Sequence, residues 1–280
     1  MTSRAVLITG CSTGIGRATA LRLAGAGWPV YATARRLESI RDLERAGCRT
    51  LTLDVTDEAS MAAAVKAVAA EHGAVGALVN NAGYSQSGAV EEVPIEEARR
   101  QLETNFFGPV RLAQLVLPGM REQGWGRILN VSSMGGRLVF PGGGFYHASK
   151  FALEAISDAL RFEVRPFGVH VVVVEPGLIK TEFAAAASTS MEPVGSPQSP
   201  YRAFNESVAR ATAGAYEMPL ATSPDAVAKV IERALKAKRP RTRYPVTLHA
   251  RAALVTRRLL PDRAWDAAMK IQFEAPARTR

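Results

Sequence analysis

A chain of 280 residues, 47% hydrophobic and 22% charged, is long enough to bury a sizeable core and has the balance of a globular protein. Its net charge of +9 is concentrated in residues 236–280, where twelve Lys/Arg face three Asp/Glu, on an otherwise neutral body. A basic tail without interleaved aromatics argues against nucleic-acid binding, and no apolar run reaches the length of a membrane span. The start "MTSRAVLITG" enters a strand-like run at once, leaving no room for a signal peptide, so a cytoplasmic location is expected. Cys11 and Cys48 have no CxxC spacing and read as reduced thiols. The four histidines are scattered, so no metal site is expected.

In chain order, "RAVLIT" (4–9) reads as a buried strand, followed by glycines and a helix over 16–27. "WPVYATA" (28–34) is a second strand and 38–47 a second helix stopped by Gly47. "RTLTLDV" (49–55) is a third strand, before a helix over 56–73 that opens on a cap and closes on glycine. Strands follow at 75–80, 126–132 and 168–176, the last with the Val-rich interior of a strand covered on both faces. This alternation predicts one α/β domain over 1–280: a doubly wound parallel sheet of about seven strands, flanked by helices. Such sheets bind ligands beyond the carboxyl ends of their strands.

Strand one ends in "TGCSTGIG" (9–16), where Gly10, Gly14 and Gly16, with Ser12, Thr13 and Ile15, form a turn that lets backbone approach a pyrophosphate. No Gly-Lys-Ser/Thr follows, which argues against a P-loop hydrolase. After strand two, where an NAD enzyme usually carries an acid, stand Arg35 and Arg36, suited to a 2′-phosphate. The sequence therefore leans toward NADP(H), with NAD(H) possible. Asp54 and Val55 end strand three; Asp54 is placed either to face an adenine edge or to cap the next helix. "NNAG" (80–83) ends strand four, offering Asn80, Ala82 and Gly83 for close backbone approach. In "GGGFYHASKFALE", Tyr146 and Lys150 lie one helical turn apart, where an ammonium favours a phenolate and lowers a phenol pKa.

"TGCSTGIG", "LDV", "NNAG", "NVSS", "YHASK" and "EPG", in that order over about two thirds of the chain, resemble the short-chain dehydrogenase/reductase family. Within it, "VYATARR", "LVNNAGY" and "YHASKFALEAISDALRFEVRPFGVHVVVVEPG" look most like the branch of 17β-hydroxysteroid and retinol dehydrogenases. The resemblance implies a catalytic set of Asn105, Ser133, Tyr146 and Lys150, with Ser133 selected over Ser132 by its spacing from the tyrosine. Tyr146 is the acid/base, Lys150 also binds the nicotinamide ribose, and Asn105 holds a water that links Lys150 to solvent. Pro176, Gly177, Ile179 and Thr181 in "EPGLIKT" correspond to the nicotinamide contacts. Thr13 stands where many NADP members carry a basic residue, which leaves the phosphate to Arg35. His147 is expected to face away from the site.

The resemblance makes residues 182–220 a substrate lid, with Phe183, Met191, Tyr201 and Phe204 facing Leu138, Val139, Phe140 and Phe145 across a pocket for a lipophilic alcohol or ketone. Within the basic C-terminal helical extension, 247–280, Pro261 restarts a helix whose Trp265, Met269 and Phe273 form an apolar stripe. That stripe is expected to dock on the domain or on a subunit partner, with peripheral membrane contact the lesser alternative. A homodimer or homotetramer is implied, through helices near 96–121 and 146–165. The alternative activities are reduction of 3-oxoacyl thioesters on acyl carrier protein or CoA and, more distantly, nucleotide sensing without catalysis.

Overall fold

The computed structural model describes residues 2–182, 198–217 and 221–273. Its centre is a sheet of seven strands: β1 (Val6–Ile8), β2 (Val30–Ala34), β3 (Arg49–Thr52), β4 (Ala77–Asn80), β5 (Gly126–Val131), β6 (Val169–Glu175) and β7 (Arg243–Pro245). All neighbours are parallel, in the order β3-β2-β1-β4-β5-β6-β7. The chain winds outward from β1 to β3, then crosses back to continue from β4. The crevice at the carboxyl ends of β1 and β4 is therefore the topological switch point.

Successive strand residues point to opposite faces, and both faces are covered over the middle of the sheet, which is why β1, β2, β4, β5 and β6 are buried at nearly every position while the edge strands β3 and β7 are not. On one face Val6, Ile8, Ala32, Val79, Leu129 and Val172 pack with Leu23 of α1 (Gly14–Gly25) and Ile231 of a helix over Pro224–Lys236. On the other, Leu7, Leu78, Ile128 and Val171 meet Val68 of α2 (Glu58–His72) and Val164. The same cluster takes Leu112 and Met120 from the helix over Gly108–Glu122. Among the described residues the helices after α2 are α3 (Ile95–Leu102), α4 (Gly108–Glu122), α5 (Gly144–Val164), α6 (Arg202–Glu217), α7 (Pro224–Lys236), α8 (Leu248–Leu259) and α9 (Asp262–Gln272).

The helix expected over 38–47 is instead two 3₁₀ turns, Leu37–Ser39 and Arg41–Ala46, closed by Gly47 at φ 86°. Only Ile40 and Leu43 are buried there, too little apolar surface to sustain a continuous amphipathic face. At the next helix Asp57 is the cap, its carboxylate accepting from the amides of Ala59 and Ser60. Asp54 instead accepts from the Thr56 amide and hydroxyl at 2.9 and 2.8 Å, holding the loop after β3.

Candidate active site

The glycine turn is built by crowding. Gly10 and Gly14 have φ of 70° and 58°, a region that favours glycine. A Cβ on Gly10 would stand 2.9 Å from the Ala82 Cα, and one on Gly14 would stand 3.2 Å from Thr181 Cγ2. The turn is thus pressed between the loops after β4 and β6. The Thr9 hydroxyl accepts from the amides of Asn81 and Ala82, both at 3.0 Å. The Asn81 side chain returns two hydrogen bonds, to Thr9 O at 2.9 Å and Gly10 O at 3.1 Å. Thr13 caps α1 without a side-chain bond, and no acid occupies the first turn. The first-turn amides therefore offer a positive helix end to an anion.

Around this turn opens a crevice of about 880 Å³, a size suited to a cofactor together with part of a substrate. Its walls include Gly10, Ser12, Thr13, Gly14, Ile15, Arg35, Asp54, Val55, Ala82 and Gly83, as anticipated, and Pro176, Gly177, Ile179 and Thr181. Arg35 is exposed at the rim. Two anticipated contacts are corrected. Asn80 is buried and donates to Asn130 Oδ1 at 2.9 Å, tying β4 to β5, so Asn81 is the asparagine on the crevice wall. Gly16 is not on the wall either; any Cβ there would overlap Gly10 O, so it serves close packing of the turn.

Across the crevice, Ser133 leaves β5 and caps a short turn, Met134–Gly136, its Oγ accepting from the Gly135 amide at 3.0 Å. The Ser133 hydroxyl lies close enough to the Tyr146 phenol to act on its proton affinity. Lys150, one turn along α5, is buried; its Nζ donates to Val131 O at 3.0 Å and lies 5.9 Å from the centre of the Tyr146 ring. The expected lowering of the phenol pKa is corrected. Burial pushes the Tyr146 phenol up, outweighing the Ser133 hydroxyl that pulls it down. Burial also brings the Lys150 ammonium down to about 8, with Glu154 acting in the opposite sense. Serine, phenol and amine nevertheless meet on one wall, an arrangement able to donate a proton to a carbonyl oxygen.

Asn105 does not line the crevice. It lies in a π-helical turn, Glu103–Phe107, between α3 and α4, and is fully buried. Its Oδ1 accepts from the Tyr84 amide at 3.1 Å, while its Nδ2 donates to Tyr84 O at 2.9 Å and Ser149 Oγ at 3.0 Å. These protein partners occupy the side chain that was expected to hold a water. A Cβ on Gly83 would stand 2.9 Å from Asn105 Oδ1 and 3.7 Å from Lys150 Nζ, so only one backbone layer separates the two.

His147, expected to face away, turns beneath the loop that carries Ser133. Its Nε2 accepts from the Phe140 amide at 3.2 Å, which leaves the ring proton on Nδ1 to be donated to Gly135 O at 2.8 Å. Burial lowers its pKa, consistent with this neutral ring. The sequence signal lay in the glycines on either side, because a Cβ at Gly135 or Gly143 would press to within 2.6 or 2.8 Å of the imidazole nitrogens.

At the far end the wall is formed by Phe140, by Val208, Ala211, Ala215 and Tyr216 of α6, by His249 and Ala253 of α8, and by Gln272 and Phe273. Tyr201, Phe204, Leu138, Val139 and Phe145, expected in the pocket, do not line it. Tyr201 hydrogen-bonds Glu91, and Leu138 and Val139 face a second crevice with Trp265 and Met269. Phe183 and Met191 lie outside the described residues. The stripe of α9 docks on its own domain: Trp265 Nε1 donates to Val139 O at 3.3 Å, its ring is 6.2 Å from that of Phe140, and Phe273 enters the main crevice. His249 fixes the loop after β6 by accepting from the Leu178 amide at 2.9 Å.

Glycine turn, strand order and the serine–tyrosine–lysine wall agree with the match of residues 4–192 to the short chain dehydrogenase family, and the chain belongs to that family. It is similar to the uncharacterized oxidoreductase YbbO of Escherichia coli, with 37% identity over 265 residues covering 94% of this chain and 93% of that one. It is also similar to the NADPH-dependent 3-dehydrocapnine reductase of Ornithobacterium rhinotracheale, with 36% identity over 276 residues, 94% and 95% of the two chains. A solved short-chain dehydrogenase from Streptomyces avermitilis superposes with a TM-score of 0.80 at 34% identity, covering 96% of each chain. The protein is an oxidoreductase of this family.

Proposed function

We propose that the protein is an NADP(H)-dependent oxidoreductase that interconverts a lipophilic ketone and its secondary alcohol. The observation that carries the reading is the convergence of Ser133, Tyr146 and Lys150 on one wall of the crevice opened by the glycine turn. The crevice fits the dinucleotide. Glycine backbone and the N-terminus of α1 suit the pyrophosphate, and Arg35 at the rim suits a 2′-phosphate. When bound, the nicotinamide supplies or accepts the hydride. Tyr146 protonates the carbonyl oxygen as charge develops on it, and Ser133 donates a hydrogen bond to the same oxygen. Lys150 returns the proton to the phenol side of the site, and burial to about 8 makes its ammonium a ready donor near neutral pH. Asn105 and His147 are positioning residues, the first behind Lys150 and the second beneath Ser133.

Support for NADP(H) comes from Arg35 and from the NADPH-dependent relative, the 3-dehydrocapnine reductase. The far wall of Phe140, Val208, Ala211, Ala215, Tyr216 and Phe273 suits an apolar body. The likeness to 17β-hydroxysteroid and retinol dehydrogenases adds steroid and retinoid carbonyls. Homo-oligomerisation is assigned to the helical stretches 96–121 and 146–165, in which Phe107 and Phe162 are exposed. One screen tests the reading: NADPH and NADH in parallel against long-chain ketone, steroid, retinoid and acyl-thioester carbonyls. NADPH-dependent turnover of a lipophilic ketone supports it. Activity confined to acyl thioesters, or dinucleotide binding with no turnover of any carbonyl, overturns it.

A further inference from the structure

The two C-terminal helices bury one side against the crevice and leave another side bare. Along α8, Leu248, Val255 and Leu259 recur at i, i+7 and i+11, which places them on one face. They are 80%, 57% and 75% exposed, and Ala252 between them is exposed as well. Ile271 of α9 is 90% exposed. This stripe is distinct from the docked one of Trp265, Met269 and Phe273. Exposed Arg251 and Arg258 flank it on α8, and exposed Arg263 and Lys270 stand on α9. Among the described residues no carboxylate pairs with any of these four cations; Asp262 is engaged by Arg257, and Asp266 is the remaining acid of the pair of helices.

We propose that this stripe is a docking surface for an anionic lipid membrane, on which the protein sits peripherally. Among the described residues no helix is long and apolar enough to cross a bilayer, and a surface helix needs no such length. Aliphatic side chains flanked by arginines form the pattern of a helix lying at an anionic interface, with the arginine stems reaching toward phosphates. Charge selects this occupant. A second copy docked on the same face would oppose two surfaces that each carry the chain's excess of positive charge. An acidic protein would complement the charge, but it would need a groove to receive a ridge of about 16 Å, the span of eleven residues at helical rise. A bilayer interface accepts such a ridge without a matching groove. The opposite side of the helix pair, at His249, Ala253, Gln272 and Phe273, lines the crevice. Docking therefore brings a lipid phase next to the site wall.

The test is co-sedimentation of the full chain with vesicles of phosphatidylcholine alone and of phosphatidylcholine mixed equally with phosphatidylglycerol, at low and high salt. Binding is expected on the anionic vesicles, weak on the neutral ones, and reduced by salt. Arg251→Gln together with Arg258→Gln is expected to lower the partition coefficient by roughly fivefold per arginine. Leu248→Glu with Leu259→Glu is expected to lower it by at least about tenfold. Neither pair lines the crevice, so turnover of a water-soluble carbonyl and the melting temperature are expected to hold, which separates lost docking from lost folding. Absence of sedimentation with anionic vesicles overturns the proposal, as does unchanged sedimentation of the Leu→Glu pair. So does a wild-type oligomer that the Leu→Glu pair dissociates in ultracentrifugation, because a second copy then covers the stripe. Capture by an acidic carrier protein without vesicle binding overturns it too.

Discussion

Glu175 closes β6 immediately before the Pro176–Gly177 loop, fully buried, and neither carboxylate oxygen has a hydrogen-bond partner. Guanidinium nitrogens of Arg137 and Arg243 stand 3.5 Å from Oε1, while Arg243 is drawn at 2.9 Å to Glu154. Burial, reinforced by the nearby Glu154 charge, pushes the Glu175 carboxyl up to about 7 despite the two arginines. The folded state therefore keeps a proton that the unfolded chain releases near its ordinary 4.5. Because the native state binds more protons across that interval, stability is greatest below it and falls as pH rises toward 7. The full interval corresponds to about 3 kcal/mol as an upper bound, reduced to the extent that the arginines swing toward the ionised carboxylate. Glu175→Gln removes the titration and keeps the shape. Urea unfolding at steps from about pH 5 to about pH 8 is expected to show wild-type stability falling by about 1–3 kcal/mol while the variant changes much less. Parallel curves for the two proteins would refute the reasoning.

Arg35→Ala is expected to raise the KM for NADPH by about tenfold or more and to leave that for NADH within about twofold, read by initial-rate kinetics. Equal effects on both cofactors would remove Arg35 from the 2′-phosphate. His147→Ala severs two hydrogen bonds that seat the Ser133 loop, so kcat is expected to drop by roughly tenfold to a hundredfold with the KM for NADPH unchanged. The two free cysteines are buried, with burial pushing the thiols of Cys11 to about 12 and Cys48 to about 11. Both are expected to resist Ellman's reagent in the folded protein and to react on denaturation.

Much of the sheet was legible because a strand covered on both faces is mostly apolar: half-exposed β3 showed itself only through Leu51 between β-branched threonines, whereas β1, β2, β4, β5 and β6 carry that mark. β7 does not: Arg243, Tyr244 and Pro245 are half-buried and pair only with the end of β6, leaving no pattern to read. The glycine turn was legible because backbone crowding demands glycine. Neighbouring asparagines were harder to separate. Asn80 and Asn81 differ only in the last residue of strand alternation, which decides whether an amide points to β5 or to the crevice. The Tyr146–Lys150 spacing identified the pair, but the effect of burial on both groups depends on the loops that close over them. The far wall came from sequence-distant pieces, α6, α8 and the end of α9, whose meeting no local pattern encodes.

The central claim is that Tyr146 protonates a carbonyl while hydride passes to its carbon. The direct measurement is transfer of deuterium from NADPH deuterated at the nicotinamide C4, with product analysed by mass spectrometry for the wild type and for Tyr146→Phe. The account predicts one deuterium on the carbinol carbon from one C4 face only, and turnover lowered by at least about a thousandfold in the variant. A product without deuterium, or a phenylalanine variant with near-normal turnover, would contradict it.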